Sequence, residues 1–267
     1  MYKSKHYNFI ITPIFNILKE SVIACRGIGD GIETQTISEY ILQTTFLKMT
    51  GASEQKLKCI CWELATNDYE YRYQYLNKNY GECSTYKDKN NVCEDLIKEI
   101  IKLDRSLIKK AGTGGMFILE LIYNQKADDF TKSIWNDIEN LVEDSTFSLF
   151  DPKGFSYFCS SYKDFFKGKK FAILKENSNN NDGFNSFLLE DGELKKHFES
   201  IVYRHRNRCA HNLTSYQENL PTLSTLSEKD YDYNNYFFRF SLLILIDEIF
   251  IKLYEKYIDT LEKNAYA

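Results

Sequence analysis

Apolar side chains recur at intervals of three and four residues through most of the chain, which is the spacing of an amphipathic helix. A clear example is the stripe formed by Ile37, Ile41 and Leu47. The same spacing predicts helices over 33–50, 54–79, 92–110, 116–124, 129–144, 193–212 and 233–262. The chain has only three prolines in 267 residues, and proline interrupts the helical hydrogen-bond ladder. The sequence therefore predicts an all-α fold.

Breaks between the helices are predicted where glycine, proline or polar residues accumulate. They are a turn at 51–53, a loop at 80–91, a glycine-rich break at 111–115, irregular structure over 147–171 and an asparagine-rich loop at 175–185. The segment 9–18 fits either a helix or a strand. The tyrosines of 69–75 alternate as in a strand, but the apolar spacing before them favours a half-buried helix.

The overall charge limits how the chain can meet a nucleic acid. The formal net charge is −4, which excludes a globally basic nucleic-acid binder and leaves only a local patch. The seven cysteines include no CxxC pair, and we recognise no signal peptide, so we expect reduced thiols and a cytoplasmic location. Charged residues such as Arg239 and Asp247 within the apolar segment 237–254 argue against a membrane span.

A cluster of basic residues stands out in this acidic chain. This basic cluster comprises Arg204, His205, Arg206, Arg208 and His211. On an ideal helix, Asn207 and Arg208 lie within about 60° of His211. Arg204 lies about 20° from His211, whereas Arg206 lies about 140° from it. Arg206 can therefore join the shared face only by side-chain reach, by a distortion of the helix end or from a second subunit.

These residue types suit the cleavage of RNA without a metal. An imidazole with a pKa near neutrality can exchange a proton with a ribose 2′-hydroxyl that attacks the adjacent phosphate. A guanidinium donates paired hydrogen bonds to phosphate oxygens and stabilises the charge that builds up in the transition state. An amide such as that of Asn207 can orient the imidazole or bind a phosphate oxygen. We therefore expect that neither a metal ion nor a cofactor is needed.

The run from Arg206 to His211 reads Arg-Asn-Arg-Cys-Ala-His, which resembles the RNxxxH motif of the HEPN superfamily (higher eukaryotes and prokaryotes nucleotide-binding). That family's signature is an arginine, four to six further residues and a histidine. Arg204 with His211 fits the longest spacing, but Asn207 directly follows Arg206 and makes Arg206 the closer match. The motif also lies late in the chain and is followed by one more long predicted helix, over 233–262.

The resemblance implies a fold and an activity. The fold would be a HEPN-like helical bundle over 111–267, and 1–110 would be a helical N-terminal elaboration or part of the same domain. The activity would be that of an endoribonuclease that leaves 2′,3′-cyclic phosphate ends. Such proteins act in antiphage defence or as toxins of toxin–antitoxin pairs. The implied partners are RNA, a second copy of the chain in a homodimer, and an antitoxin or another component of a defence system.

The resemblance also implies a role for each residue of the motif. His211 would be the acid and base, Arg206 the phosphate contact and Asn207 the orienting polar group. Substrate-binding roles are expected for the other members of the basic cluster, which are Arg204, Arg208 and His205. We expect no metal site among these residues.

Three other interpretations of the cluster stay open. Its arginines can form a solvated helix end, where cations suit the negative pole of the helix dipole. The chain can be a helical module that binds RNA or a protein without cleaving it. Finally, His205 and Cys209 lie four residues apart and, with His211 nearby, can contribute to a zinc site.

Other distinctive residues carry weaker signals. The glycines of 111–116 are typical of a turn between helices, because no Lys-Ser or Lys-Thr follows them as in a phosphate-binding loop. The glycines of 27–31 receive the same interpretation. His197 is expected to be a surface or packing residue, and the sequence shows no partner for His6.

Overall fold

The computed structural model describes residues 4–29, 31–77, 81–177, 183–189, 193–211, 227 and 231–265. Over these residues the fold is all-α with one small antiparallel sheet. The helices are α1 (Tyr7–Ile11), α2 (Phe15–Ala24), α3 (Ile32–Asn67), α4 (Tyr69–Asn77), α5 (Tyr86–Leu103), α6 (Ser106–Ala111), α7 (Ile118–Tyr123), α8 (Ala127–Val142), α9 (Pro152–Phe166), α10 (Glu193–His197), α11 (Arg204–His211) and α12 (Tyr236–Ala265). A π-helical turn, Phe198–Tyr203, joins α10 to α11, and we call the continuous run 193–211 the basic helix.

The predicted turn at 51–53 is wrong, because α3 runs through it without interruption. Met49 and Leu57 are buried on either side of Gly51, so the buried face of the helix continues across the glycine. Packing of that face overrides the weak helix propensity of glycine, which costs only about 1 kcal/mol relative to alanine. Asp68 then ends α3, and its Oδ1 accepts a hydrogen bond from the Tyr71 amide at 2.8 Å.

The tyrosine-rich segment is the half-buried helix that its flanking pattern predicts. It forms α4, in which the Tyr71 side chain is buried while those of Tyr69 and Tyr73 are largely exposed. The Tyr75 ring lies against that of Tyr71 at a centroid distance of 5.9 Å.

The loop predicted at 80–91 is wrong over its second half, because α5 begins at Tyr86 and Thr85 caps it. Two other segments predicted to be irregular also contain regular structure. In the first, 147–171, Asp151 caps α9 by accepting a hydrogen bond from the Gly154 amide at 2.9 Å. Pro152 occupies the first turn of that helix, where its missing N–H costs nothing. In the second, 175–185, the two ends belong to strands, and residues 178–182 lie outside the described part of the chain.

The sheet consists of β1 (Met116–Phe117), β2 (Phe171–Glu176) and β3 (Phe184–Leu189) in that spatial order, with both pairs antiparallel. The helix predicted to begin at residue 116 therefore starts later, at Ile118.

The break before β1 is confirmed, and it requires glycine at position 115. Gly115 has φ +76°, and a Cβ there would lie 3.1 Å from the Ile173 side chain. Asn90 of α5 holds the sheet by accepting a hydrogen bond from the Leu188 amide at 2.7 Å.

The last helix, α12, lies at the centre of the hydrophobic core. It packs against α3, α5 and α8, and apolar side chains cover almost all of its surface between 237 and 254. Because α12 contacts helices on both sides of residue 110, the core spans the predicted boundary between 1–110 and 111–267. That boundary stays a prediction. None of the helices in the described part is long and apolar enough to cross a membrane.

A buried ion pair ties α12 to α3 inside this core. The Lys56 Nζ lies 2.7 Å and 2.9 Å from the two carboxylate oxygens of Asp247. One of those oxygens also accepts a hydrogen bond from the Ile14 amide at 2.8 Å. Burial lowers the pKa of Lys56 and raises that of Asp247, so desolvation opposes both charges. The pair therefore depends on its close geometry.

Candidate functional site

The basic helix is anchored on the core by its first turns, as its apolar stripe predicts. Leu194, Phe198, Ile201 and Val202 are all buried. The π-helical turn lies between this anchor and the basic cluster, and in it the Arg204 amide donates to the Glu199 carbonyl. Such turns are frequently found at functional sites.

Arg239 of α12 forms hydrogen bonds with the π-helical turn and with the segment just before α12. Its Nε donates to the Ile201 carbonyl at 3.0 Å, and its Nη2 donates to the Asn234 carbonyl at 2.9 Å. The guanidinium also lies over the Tyr236 ring, 5.0 Å from its centroid. Burial lowers the pKa of Arg239 to about 10, so the side chain remains a buried cation. These contacts therefore fix the position of the basic helix relative to α12.

A cavity of about 1060 Å³ opens between the basic helix and the start of α5. We call it the basic cavity. Its lining residues come from the start of α5, from the basic helix and from the turn before α12. They are Thr85, Tyr86, Lys87, Lys196, His197, Glu199, Ser200, Ile201, Tyr203, Arg204, Asn207, Arg208 and Asn234. Four of them are cationic and one is a carboxylate, so the walls favour an anion.

The structure brings three of the predicted site residues together. Arg204, Asn207 and Arg208 all line the basic cavity, which agrees with the shared face that the helical spacing predicts. Arg204 is exposed. The Arg208 Nη2 donates to the Nδ1 of His205 at 3.3 Å. Its Nε is buried without a hydrogen-bond partner among the described residues.

Arg206 lies on the other side of the helix, as the angle of about 140° on an ideal helix predicts. Its Nη2 forms an ion pair with the Glu54 carboxylate of α3 at 3.2 Å. Its Nη1 donates to the Asn207 side-chain oxygen at 3.3 Å. Arg206 is not among the residues that line the basic cavity. Its charge is therefore largely compensated within the chain, and the predicted phosphate contact is untested.

His205 is largely enclosed by other side chains of the protein. Its ring packs against Phe46 at a centroid distance of 5.1 Å, and burial lowers its pKa to about 2. The imidazole is therefore neutral. Because Arg208 can only donate, Nδ1 accepts and Nε2 carries the proton. That Nε2–H faces the Tyr236 hydroxyl at 3.2 Å and the Cys209 Sγ at 3.4 Å.

His205 thus contacts Arg208 from behind the cavity wall, and its predicted role in binding substrate is untested. The sequence alone did not reveal this, because the ring is enclosed by Phe46 and Tyr236, which come from distant helices. Spacing along the basic helix contains no information about either neighbour.

His211 is the last residue of α11, and its side chain lies outside the described part of the structure. The predicted role of His211 as acid and base is therefore untested. The zinc interpretation gains no support, since the described residues contain no group of three or more His, Cys, Asp or Glu side chains that could hold a metal ion.

The two remaining histidines take part in packing and pairing. His197 is buried against the rings of Phe165 and Tyr233, which confirms that it is a packing residue. The sequence indicates no partner for His6, but the structure provides one. Its Nδ1 lies 2.7 Å from the Glu63 carboxylate on α3.

The structure also places in the site residues that the sequence did not single out. Lys196 lies eight residues before Arg204 on the same helix, so the helical spacing that groups the basic cluster also reaches it two turns earlier. Lys87 and Thr85 lie more than a hundred residues earlier in the chain. No pattern in the sequence links them to the basic cluster, because only the tertiary fold brings α5 to the basic helix.

The fold and the site together define an α-helical protein with a basic cavity beside a histidine- and arginine-rich helix. Comparisons of the chain with models of known protein families, with curated proteins and with solved structures return no match. The function proposed below accordingly depends on the residues and their geometry.

Proposed function

We propose that the protein is a metal-independent endoribonuclease of the HEPN type. The observation that carries the proposal is that Arg204, Asn207 and Arg208, three residues of the motif helix, line one basic cavity. Guanidinium groups on one wall of a cavity are suited to hold the non-bridging oxygens of a phosphodiester. The spacing of Arg206 and His211 and the long helix that follows them support the assignment to this type.

The proposed reaction is transesterification within the RNA strand. The ribose 2′-oxygen attacks the adjacent phosphorus and forms a new P–O bond, while the bond from phosphorus to the 5′-oxygen breaks. His211 takes the proton of the 2′-hydroxyl, and the departing 5′-oxygen receives a proton from the His211 of a second copy. The products are a 2′,3′-cyclic phosphate and a 5′-hydroxyl. Arg204 and Arg208 hold the phosphate, and Asn207 orients it.

The role of Arg206 in this proposal differs from that of its neighbours. Its ion pair with Glu54 and its bond to Asn207 favour a function in orienting the Asn207 amide. A direct contact between Arg206 and phosphate would require the ion pair with Glu54 to open.

The test is cleavage of total cellular RNA in the presence of EDTA. We expect wild-type protein to release fragments with 2′,3′-cyclic phosphate ends, and the His211→Ala variant to release none. A matched control is His6→Gln, which removes a distant histidine but can still donate to Glu63. The proposal is wrong if wild-type protein does not cleave, or if His211→Ala cleaves as fast as wild type.

A second candidate is a helical module that binds RNA without cleaving it. The neutralisation of Arg206 by Glu54 favours this alternative, because it leaves the motif's own arginine without a free charge. Binding of RNA by wild-type protein without cleavage would establish it. Absence of both binding and cleavage would contradict both candidates.

A further inference from the structure

We propose that the basic cavity is one continuous track for a single-stranded RNA of up to about five nucleotides, in which Lys87 and Lys196 are phosphate contacts. This inference rests on the proposed function, since it names the form of RNA that the same site takes. Neither lysine belongs to the motif.

The length of the track follows from the spacing of cations on the basic helix. Lys196, Arg204 and Arg208 line the same cavity and lie on one continuous helical run. At a rise of about 1.5 Å per residue, Lys196 is roughly 12 Å from Arg204 and roughly 18 Å from Arg208 along the axis. A nucleic-acid strand carries one phosphate about every 3.4 Å along a stacked helix. The row therefore spans at most about five nucleotides, and fewer if the strand is extended, but it is too long for one phosphate.

The cations of the track are available for an external anion. Among the described residues, no carboxylate forms an ion pair with Lys87, Lys196, Arg204 or Arg208. Arg206, by contrast, is paired with Glu54 on the far side of the helix. The cavity therefore collects the cations of this region that are not already neutralised.

The opposite wall reinforces this preference. Thr85 caps α5 by accepting a hydrogen bond from the Asp88 amide at 3.1 Å, and Lys87 lies in the first turn of that helix. The first amides of a helix lack helical acceptors and carry a positive partial charge. The amino end of α5 therefore adds to the field of Lys87 at the cavity.

Aromatic side chains favour a single strand over a duplex. Tyr203 and Tyr86 both line the cavity, and Tyr203 is only partly buried. Unpaired bases can stack on such rings, whereas the bases of an A-form duplex are already stacked on each other. A Lys195 ammonium lies 4.9 Å from the Tyr86 ring centroid, so Tyr203 is the better platform for a base.

The experiment measures binding with the full-length His211→Ala protein, so that cleavage does not interfere. Fluorescence anisotropy is recorded for a labelled single-stranded RNA octamer of mixed sequence and for a trimer, at several salt concentrations. Four contacts predict a slope of about −2.8 for log K against log salt, because each phosphate contact to a single strand contributes about −0.7. Affinity for the octamer then falls about 50-fold between about 50 and about 200 mM salt.

Substitution of the two lysines distinguishes phosphate contacts within the cavity from a non-specific attraction of RNA to the positive charges of the protein. In the His211→Ala background, Lys87→Ala and Lys196→Ala should each make the slope shallower by about 0.7, so that affinity falls only about 20-fold over the same range. The matched control is Lys132→Ala, an equal loss of charge at an exposed position of α8 that does not line the cavity. Lys87 and Lys196 are both exposed, so their substitution should leave the fold intact.

Several outcomes would overturn the inference, and they can be distinguished from failure of the proposed function. It is wrong if the slope is the same in Lys87→Ala, Lys196→Ala and Lys132→Ala, or if the trimer binds as tightly as the octamer. Equal binding of a DNA octamer would contradict the assignment to RNA, and equal binding of a glutamate octapeptide would indicate a protein ligand. An expected slope without cleavage by wild-type protein refutes the endoribonuclease alone. Cleavage with an unaffected slope refutes the track alone.

Discussion

The buried ion pair between Lys56 and Asp247 offers the sharpest test of how the scaffold is held. The pair joins α3 to α12 with two contacts of 2.7 Å and 2.9 Å, and both side chains are almost completely buried. Substitution of Lys56 by Met removes the ammonium but retains most of the length of the side chain. Substitution of Asp247 by Asn removes the charge but retains an oxygen that can accept from the Ile14 amide.

The expected magnitudes follow from the burial of both partners. Removal of one partner leaves an uncompensated buried charge, which costs about 3–5 kcal/mol. Each single variant, Lys56→Met and Asp247→Asn, should therefore lose about 3–5 kcal/mol of the free energy of unfolding. The double variant has no buried charge and leaves only the new amide nitrogen without a partner, which costs about 1–3 kcal/mol. Its loss should therefore be smaller than the two single losses combined by about 6 kcal/mol.

Urea denaturation followed by far-UV circular dichroism measures these free energies. The matched control is Lys98→Met, which breaks an exposed pair with Glu94 on the surface of α5 and should cost about 0.5 kcal/mol or less. A dependence on pH provides a second check on Lys56→Met. Burial raises the pKa of Asp247, and Lys56 opposes that rise. Without Lys56, Asp247 should take up a proton as the pH falls, so the difference from wild type should narrow at acidic pH.

Additivity would refute this reasoning. If the double variant loses as much free energy as the two single variants combined, the two charges are not coupled. A loss of less than about 1 kcal/mol in both single variants would show that the pair behaves like an exposed one.

Three further predictions test individual contacts. Replacing Glu54 with Gln should release Arg206, tighten RNA binding and steepen the salt slope by about 0.7; an unchanged slope in the anisotropy assay would contradict this. Gly115→Ala should lower the free energy of unfolding by about 1–2 kcal/mol, because position 115 has φ +76°, whereas Gly114→Ala, with open space around it, is the control and should change it less. Burial raises the pKa of Glu99 to about 7, so its contribution to stability is present at acidic pH and is lost as the pH rises towards 7. Glu99→Gln should remove that part of the pH dependence in urea titrations, and an unchanged profile would show that another group causes it.

The helical elements and one face of the site could be predicted because both depend on local periodicity. Arg204, Asn207 and Arg208 share a cavity wall since positions three and four residues apart meet on one side of any α-helix. The π-helical turn does not disturb this, because it ends at Tyr203, before the cluster begins. The angular relation among the three residues is therefore that of an ordinary helix.

The errors occurred where tertiary contacts override local signals. Gly51 carries a turn signal, but its helix continues because buried residues on both sides pack against the core. The asparagine-rich segment contains the end of β2 and the start of β3, which form the sheet by pairing with each other and, through β2, with the distant strand β1. Lys87 lies in the site because α5 packs beside the basic helix. The spacing of the residues around Lys87 contains no information about this packing.

Within the basic cluster, the partners of each side chain decide which cations can meet a ligand. Glu54 holds Arg206 on the far side of the helix, and neutral His205 holds Arg208 at the cavity wall. The arginine–histidine spacing of the motif gives the order of residues along the chain, but it does not identify Glu54 or His205 as the partners of these arginines. The comparison of Glu54→Gln with wild type is therefore informative for the motif itself. If release of Arg206 increases cleavage as well as binding, the ion pair restrains a catalytic arginine, and if only binding changes, Arg206 is structural.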